Sequence, residues 1–428
     1  MKKITLLLFV LICFSNISSA EEKILTLEDC LNIACKQNKA LLNAETEKDL
    51  AKLNISKAIA VCLPGIDAQS TYYKYGLLPA DSKLIENNYQ NQISLAQPIF
   101  NRRTFVLFKQ AKINLKAEGN NLEEERNTLT LNVKESFYNL LKAKSMIELN
   151  QKAVELMEEH LKNANALFNN GMVVETDVMR AEMELAKAQK NVLIARHAEN
   201  LSQKNLCIVM GIDLVGARCN VPLQLDENLD AVNFSLESSD FYKEKTLKNR
   251  PLLKKAKENV KLSMESITLN KASFWPVFSA YANYNWTGST FIPKDDSWTA
   301  GINVAINLFN GGLNKIEIKE AKYKYEQAKR GLWQIEQSVV LETESAYLKL
   351  KEIKELIDIN EKIYDIADKN YKLTQKRYAE GLVPNTTVLE AYTSLLEAQT
   401  NEISAGYDYR IAIARLEKTV GVSVDTSL

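Results

Sequence analysis

Apolar residues recur along this chain in two different rhythms. Over 102–167 and again over 313–377 they step by three, four and seven. The first stripe reads Leu115, Leu122, Leu129, Val133, Phe137 and Leu140. The second reads Leu332, Ile335, Val339, Ala346, Ile353, Ile357, Tyr364 and Tyr371. This spacing keeps one face of an α-helix apolar and suits coiled-coil-like packing. A helix of about 66 residues would extend roughly 100 Å at its usual rise. Shorter helices are expected at 26–60, 176–211, 240–272 and 386–420. The first of them opens on Thr26-Leu-Glu-Asp29, which has the form of a capping box.

Between these stretches the rhythm changes to two. Trp298, Ala300, Ile302, Val304, Ile306 and Leu308 alternate with Thr299, Gly301, Asn303, Ala305 and Asn307. Phe278, Ala280, Ala282, Tyr284 and Trp286 alternate with Ser279, Tyr281, Asn283 and Asn285. Period-two alternation puts each set on one face of a strand. A fainter pair is expected at Ile66–Tyr75 and Tyr89–Phe100, with Ile93, Leu95 and Ile99 on one face and Ser94 and Ala96 on the other. Strands of about ten residues with one apolar face and one small or polar face suit a tilted crossing of an outer membrane.

Composition supports the long helices. The 428 residues include only 14 glycines and 8 prolines, and no proline falls in 99–221 or 294–383. Proline breaks a helix interior because it lacks an N–H and clashes with the preceding turn. Basic and acidic residues balance at 54 each, so nothing suggests a nucleic-acid partner.

The first residues read as a secretory signal peptide, 1–20. Lys2 and Lys3 precede an apolar stretch Ile4–Phe14, and Ser18-Ser19-Ala20 supplies a cleavage site. No later run is long and apolar enough for a transmembrane helix. Removal of Cys13 would leave five cysteines, so at least one thiol stays unpaired. Whether Cys207 bridges to Cys219, or Cys30 to Cys35, is open at this level. The two histidines, His160 and His197, have no partner at metal-ligand spacing. No phosphate loop, nucleophile motif or metal motif is present, so neither an enzyme nor a cofactor is expected.

The two halves match each other. Phe168-Asn-Asn-Gly171-Met-Val-Val-Glu-Thr-Asp177-Val aligns with Tyr378-Ala-Glu-Gly381-Leu-Val-Pro-Asn-Thr-Thr387-Val at an offset of about 210 residues. Ala181, Ala188 and Gly211 align likewise with Ala391, Ala398 and Gly421. The implied organisation is a first repeat at 21–211, a linker at 212–239 and a second repeat at 240–428. Each repeat would hold a helix, two strands, a long helix and a return helix. Four strands cannot close a barrel, and an open sheet edge is excluded from a bilayer core. Three copies would give 12 strands, within the known range, whereas 8 from two copies would leave little lumen. A periplasmic coiled-coil adaptor or scaffold would explain the helical stripes but not the strands.

Two tandem helix, strand-pair and helical-hairpin units behind a signal peptide resemble the TolC-like outer membrane efflux proteins. The most specific stretch is Arg377-Tyr-Ala-Glu-Gly-Leu-Val-Pro-Asn-Thr-Thr-Val-Leu-Glu-Ala391, with its partner around Gly171. The resemblance implies a mainly α fold with a small antiparallel β part. Long helical hairpins would form an α-barrel in the periplasm, and four transmembrane β-strands per chain would enter a 12-stranded barrel made by a homotrimer in outer-membrane lipid. It implies the exit duct of a tripartite efflux pump or type I secretion system. The partners would be a periplasmic adaptor (membrane fusion) protein and an inner-membrane pump or ABC transporter. The tip turns would dock the adaptor through Gly171, Met172, Gly381 and Leu382. Family acids that narrow the entrance correspond to Asp177, Thr387 and Glu390, with Thr387 replacing one acid. Asp177 also suits an N-cap. Tyr378 matches a tyrosine that helps hold the closed state, and Val383 stands where some members carry a tip arginine.

Overall fold

The computed structural model describes residues 25–76, 85–214, 236–292 and 294–421. The expected signal peptide, most of the linker and Cys219 lie outside them. The elements run α1 (Leu27–Gln37), α2 (Lys39–Ala60), β1 (Gly65–Gly76), β2 (Ile85–Phe100), α3 (Arg102–Asn169) and α4 (Glu175–Met210). The same order then recurs as α5 (Ser239–Asn249), α6 (Pro251–Lys271), β3 (Val277–Gly288), β4 (Asp295–Ala305), α7 (Leu313–Ala379) and α8 (Asn385–Val420). The α3 and α7 helices, of 68 and 67 residues, meet the sequence boundaries within two positions.

Each expected opening helix is broken in two. The 26–60 stretch bends at Asn38, whose backbone leaves the helix at ψ 124°. The 240–272 stretch bends at Arg250, at ψ 119°. Arg250 precedes Pro251, whose ring disfavours the α conformation in the residue before it. At the other joint the Asn38 side-chain amide donates to the Val209 carbonyl at 2.8 Å. The capping box is present: Thr26 Oγ accepts from the Asp29 N–H, and Asp29 accepts from the Thr26 N–H.

The chain divides into two compact units, each using parts of both repeats. One contains the described parts of the segments ending at Lys39, Thr128–Glu237 and Ala346–Lys418. Its core is a helical seam of small and aromatic side chains, including Ala153, Met157, Ala188, Tyr371, Val388, Tyr392 and Ala398. The repeat-related alanines Ala181 and Ala391 are both buried, as are Ala188 and Ala398. A side chain this small lets neighbouring helices approach at equivalent places in both hairpins. Within this unit α3 and α8 are tied by Lys134–Glu417, Lys142–Asp408 and Arg415–Glu135 at 2.5, 3.1 and 2.6 Å. Cys207 is disulfide-bonded, while Cys30 is a free thiol, so the Cys30–Cys35 alternative is excluded.

The other unit contains the described parts of Ala40–Asn127, Ser238–Ser345 and the segment from Thr419. It holds an antiparallel sheet in the order β1-β2-β3-β4. Its register builds rows of one character across all four strands. Ala68, Ile93, Tyr284 and Trp298 form one, and Ile66, Leu95, Ala282 and Ala300 another. The intervening row is Asp67, Ser94, Asn283 and Thr299. The apolar face is open: Trp298 is 75% and Ile302 69% exposed. Ile99, like Ile93 and Leu95, is exposed. A register shift between Pro98 and Phe100 inserts one residue, so Phe100 rather than Ile99 pairs with Phe278, their rings 6.2 Å apart. A bulge of this kind reverses the side-chain alternation beyond it. The last strand stops at Ala305, short of the expected Leu308.

The same unit buries Arg250, at 1% exposure, at the α5–α6 joint. Its guanidinium lies 2.9 Å from Glu124 and 3.2 Å from Glu342. Glu124 also accepts the Leu252 N–H at 3.3 Å. A buried cation is tolerated because carboxylates and hydrogen bonds replace its water.

Candidate functional site at the helical tips

Both hairpins reverse through the same backbone device. Gly171 and Gly381 each adopt φ +72°. The Gly171 and Met172 N–H groups donate to the Phe168 and Leu167 carbonyls at 2.8 and 2.9 Å. Those of Gly381 and Leu382 donate to Tyr378 and Arg377, both at 2.9 Å. These are Schellman closures, which satisfy the last carbonyls of a helix and require a left-handed residue. Met172 and Leu382 follow the glycines and stay exposed. A Cβ at Gly381 would lie 3.2 Å from Met172 Cε, so the two turns touch.

A groove of about 380 Å³ opens between the turns. Met172, Asp177, Tyr378, Gly381 and Leu382 line it, together with Asn385. Five of the eight residues singled out from sequence thus meet at one place. Gly171, Thr387 and Glu390 are outside the lining. Thr387 is half-buried in the first turn of α8, its N–H donating to the Pro384 carbonyl at 3.1 Å. Glu390 stands exposed one turn further along.

Asp177 is not an N-cap. Val174 holds that position on α4, with no side-chain cap bond, and Asp177 lies in the first turn. A carboxylate there faces the positive end of the helix dipole. Tyr378 is buried, and its hydroxyl has no hydrogen-bond partner among the described residues. Burial raises its pKa, and the charge of Asp177 adds to the effect. Tyr371 and Tyr392, with rings tilted at 56° and 6.2 Å apart, are both pushed up to about 12, chiefly by burial.

Two residues that pattern reading passed over hold this arrangement together. His160 of α3 is 1% exposed. Its Nε2 lies 2.8 Å from Asn385 Oδ1, and Asn385 Nδ2 donates to the Asp177 carbonyl at 2.8 Å. The imidazole ring is 5.3 Å from that of Tyr378. Burial lowers the His160 pKa, and the hydrogen bond that Asn385 Oδ1 accepts opposes this in part. A lone histidine on an apolar helical face and an asparagine after Pro384 were the available signals, but their proximity is tertiary. The groove holds no paired nucleophile and base. Among the described residues no group of three or more His, Cys, Asp or Glu is placed to hold a metal, and no helix is long and apolar enough to cross a membrane.

Long helical hairpins and a small antiparallel sheet with an exposed apolar face are the elements of an outer-membrane channel protein. The signature of the outer membrane efflux protein family matches residues 30–211 and 243–422, and the chain belongs to that family. The chain is similar to the outer membrane protein TolC of Vibrio cholerae, with 21% identity over 98% of this chain and 96% of that one. It is also similar to the alkaline protease secretion protein AprF of Pseudomonas aeruginosa, with 22% identity over 80% and 71% of the two chains. The fold matches the crystal structure of the Campylobacter jejuni CmeC outer membrane channel with a TM-score of 0.80, 18% identity, and coverage of 94% of this chain and 87% of that one. The chain is accordingly an outer-membrane conduit, not an enzyme.

Proposed function

We propose that three copies of this chain form a passive exit duct through the outer membrane, and that its periplasmic entrance lies at the helical tips. The observation that carries the reading is the sheet. It has four strands in sequence order, two outer edges, and one face of exposed apolar side chains. Lipid would cover that face, and neighbouring copies would pair β1 and β4, giving about 12 strands in a closed barrel. The two chain repeats, 21–211 and 240–428, each supply one strand pair and one helical hairpin to that design.

The duct serves a tripartite efflux pump or a type I secretion system, linked by a periplasmic adaptor to an inner-membrane pump or ABC transporter. The similarity to AprF, an alkaline protease secretion protein, and membership of the outer membrane efflux protein family support this class of assembly. Gly171-Met172 and Gly381-Leu382 form the adaptor-docking surface: rigid turns presenting exposed apolar side chains. Asp177 and Glu390 act as rings at the entrance, with Thr387 and Tyr378 shaping it. Acidic rings at a constriction favour cations.

The test is purification from outer membranes. A heat-modifiable, detergent-dependent trimer that conducts ions in planar bilayers is expected. A soluble monomer in the periplasmic extract would refute the reading. Glu390→Ala and Asp177→Asn are expected to lower cation selectivity or block by polyvalent cations. Unchanged selectivity and block would remove those two residues from the entrance.

A further inference from the structure

The tip contains a buried polar chain that draws on all four helices of the two hairpins. His160 comes from α3 and Tyr378 from the end of α7. Asn385 is the first residue of α8, and the Asp177 carbonyl belongs to the first turn of α4. Asn385 gives its Nδ2 to Asp177, so the atom it turns to His160 is Oδ1, which only accepts. The imidazole Nε2 therefore carries the hydrogen, and Nδ1 keeps its lone pair. The bond is geometrically good and fully enclosed, with His160 and Asn385 each 1% exposed.

We propose that His160 is a positioning residue for the entrance: neutral, it pins the start of α8, and through Asn385 the start of α4, to α3, and when protonated it releases them. The gating consequence rests on the reading of the tips as the entrance, but the pin itself does not. The reasoning is electrostatic. A second proton puts a full charge into an enclosed site, where the ring is 1% exposed and meets the Asn385 amide and the Tyr378 ring. Burying a charge without compensation is costly. The ionisable groups facing the site from packed elements are Tyr378 on α7 and Asp177 on α4. The first turn of α8 brings only Asn385, Thr386 and Thr387. On α3 itself Glu158, Glu159 and Lys162 flank His160 but are exposed. The Asp177 link to the pin runs through its backbone carbonyl, and the imidazole bonds to the Asn385 amide. The charged ring reaches water only if the tip loosens. The sign agrees with the burial-lowered affinity of His160 for a proton. The pin holds above the ordinary imidazole range, about pH 6.5, and weakens as pH falls below it.

The experiment uses the full chain reconstituted in lipid, at pH 7.5 and 5.5. Amide hydrogen exchange is read at 168–178 and 380–390, and conductance is read in parallel. Wild type is expected to exchange at least several-fold faster in both segments at pH 5.5, after correction for intrinsic rates. His160→Gln keeps a donor without titrating, and its tip exchange is expected to be independent of pH. Asn385→Ala is expected to exchange fast at both pH values. Wild-type tip exchange unaffected by pH, or the same pH response in His160→Gln, would overturn the pin. A pH response in exchange with unchanged conductance would keep the pin and refute the placement of the entrance.

Discussion

Gly211 and Gly171 have nearly the same backbone conformation in very different surroundings, and replacing each with alanine separates the two costs. Their φ values are +81° and +72°. An L residue in the left-handed region costs about 1–2 kcal/mol. At Gly171 nothing lies within 4 Å of the added Cβ, so that conformational cost is the whole effect. At Gly211 the Cβ would lie 2.5 Å from the Gln37 carbonyl oxygen, 2.7 Å from its carbon and 2.9 Å from the Asn38 nitrogen. These are main-chain atoms at the α1–α2 joint and cannot rotate away. Ordinary contact begins at 3.4 Å, so the joint must move by roughly 1 Å. Such a shift breaks the Asn38–Val209 hydrogen bond, worth about 1 kcal/mol, and opens the packing between α1 and α4. The expected loss at Gly211→Ala is therefore about 3–5 kcal/mol, against about 1–2 at Gly171→Ala. Gly421→Ala should fall between, because its Cβ meets Pro251 Cδ and Arg250 Cα at 3.1 and 3.2 Å. The assay is guanidinium unfolding of the detergent-solubilised protein, followed by circular dichroism at 222 nm. Equal midpoint shifts for Gly171→Ala and Gly211→Ala would refute the argument that the α1–α2 joint is a close main-chain contact.

Arg250→Met should destabilise the sheet-bearing unit by about 3–5 kcal/mol, because Glu124 and Glu342 lose their cation. Adding Glu124→Gln should recover part of it, and an unchanged urea midpoint for the single variant would contradict the buried triad. Gly301→Val should weaken the β3–β4 pairing and lower the temperature at which heat-modifiable assembly is lost, because a Cβ there already lies 3.0 Å from the Tyr281 hydroxyl oxygen. Combining it with Tyr281→Ala should restore that temperature, and failure to do so would place the fault elsewhere. Burial raises the Glu402 pKa, and the charges of Glu361 and Asp365 raise it further. The folded state thus favours protonated Glu402, and that contribution is lost as pH rises through the raised pKa. Glu402→Gln should therefore unfold at higher denaturant than wild type at pH 7, with the difference vanishing near pH 4. A variant less stable at pH 7 would reverse the sign.

Much of this molecule is legible from the chain alone because its signals are periodic and local. Steps of three, four and seven located α3 and α7. Alternation located β3 and β4, and glycine marked the hairpin turns. The family resemblance rested on the same repeated stretch around Gly171 and Gly381. What the chain did not reveal depends on partners far apart in sequence. The break at Asn38 is bonded to Val209. The bulge before Phe100 is visible only against β3. His160 was one of two histidines without a motif, and its buried bond to Asn385, 225 positions away, exists only in the folded chain. Hydrophobic rhythm fixes which face of an element is turned inward, since that is set by backbone periodicity within a few residues. Which polar group meets which in the interior is decided only when helices from both halves pack, because burial makes an unpaired donor or charge costly and so selects the partner.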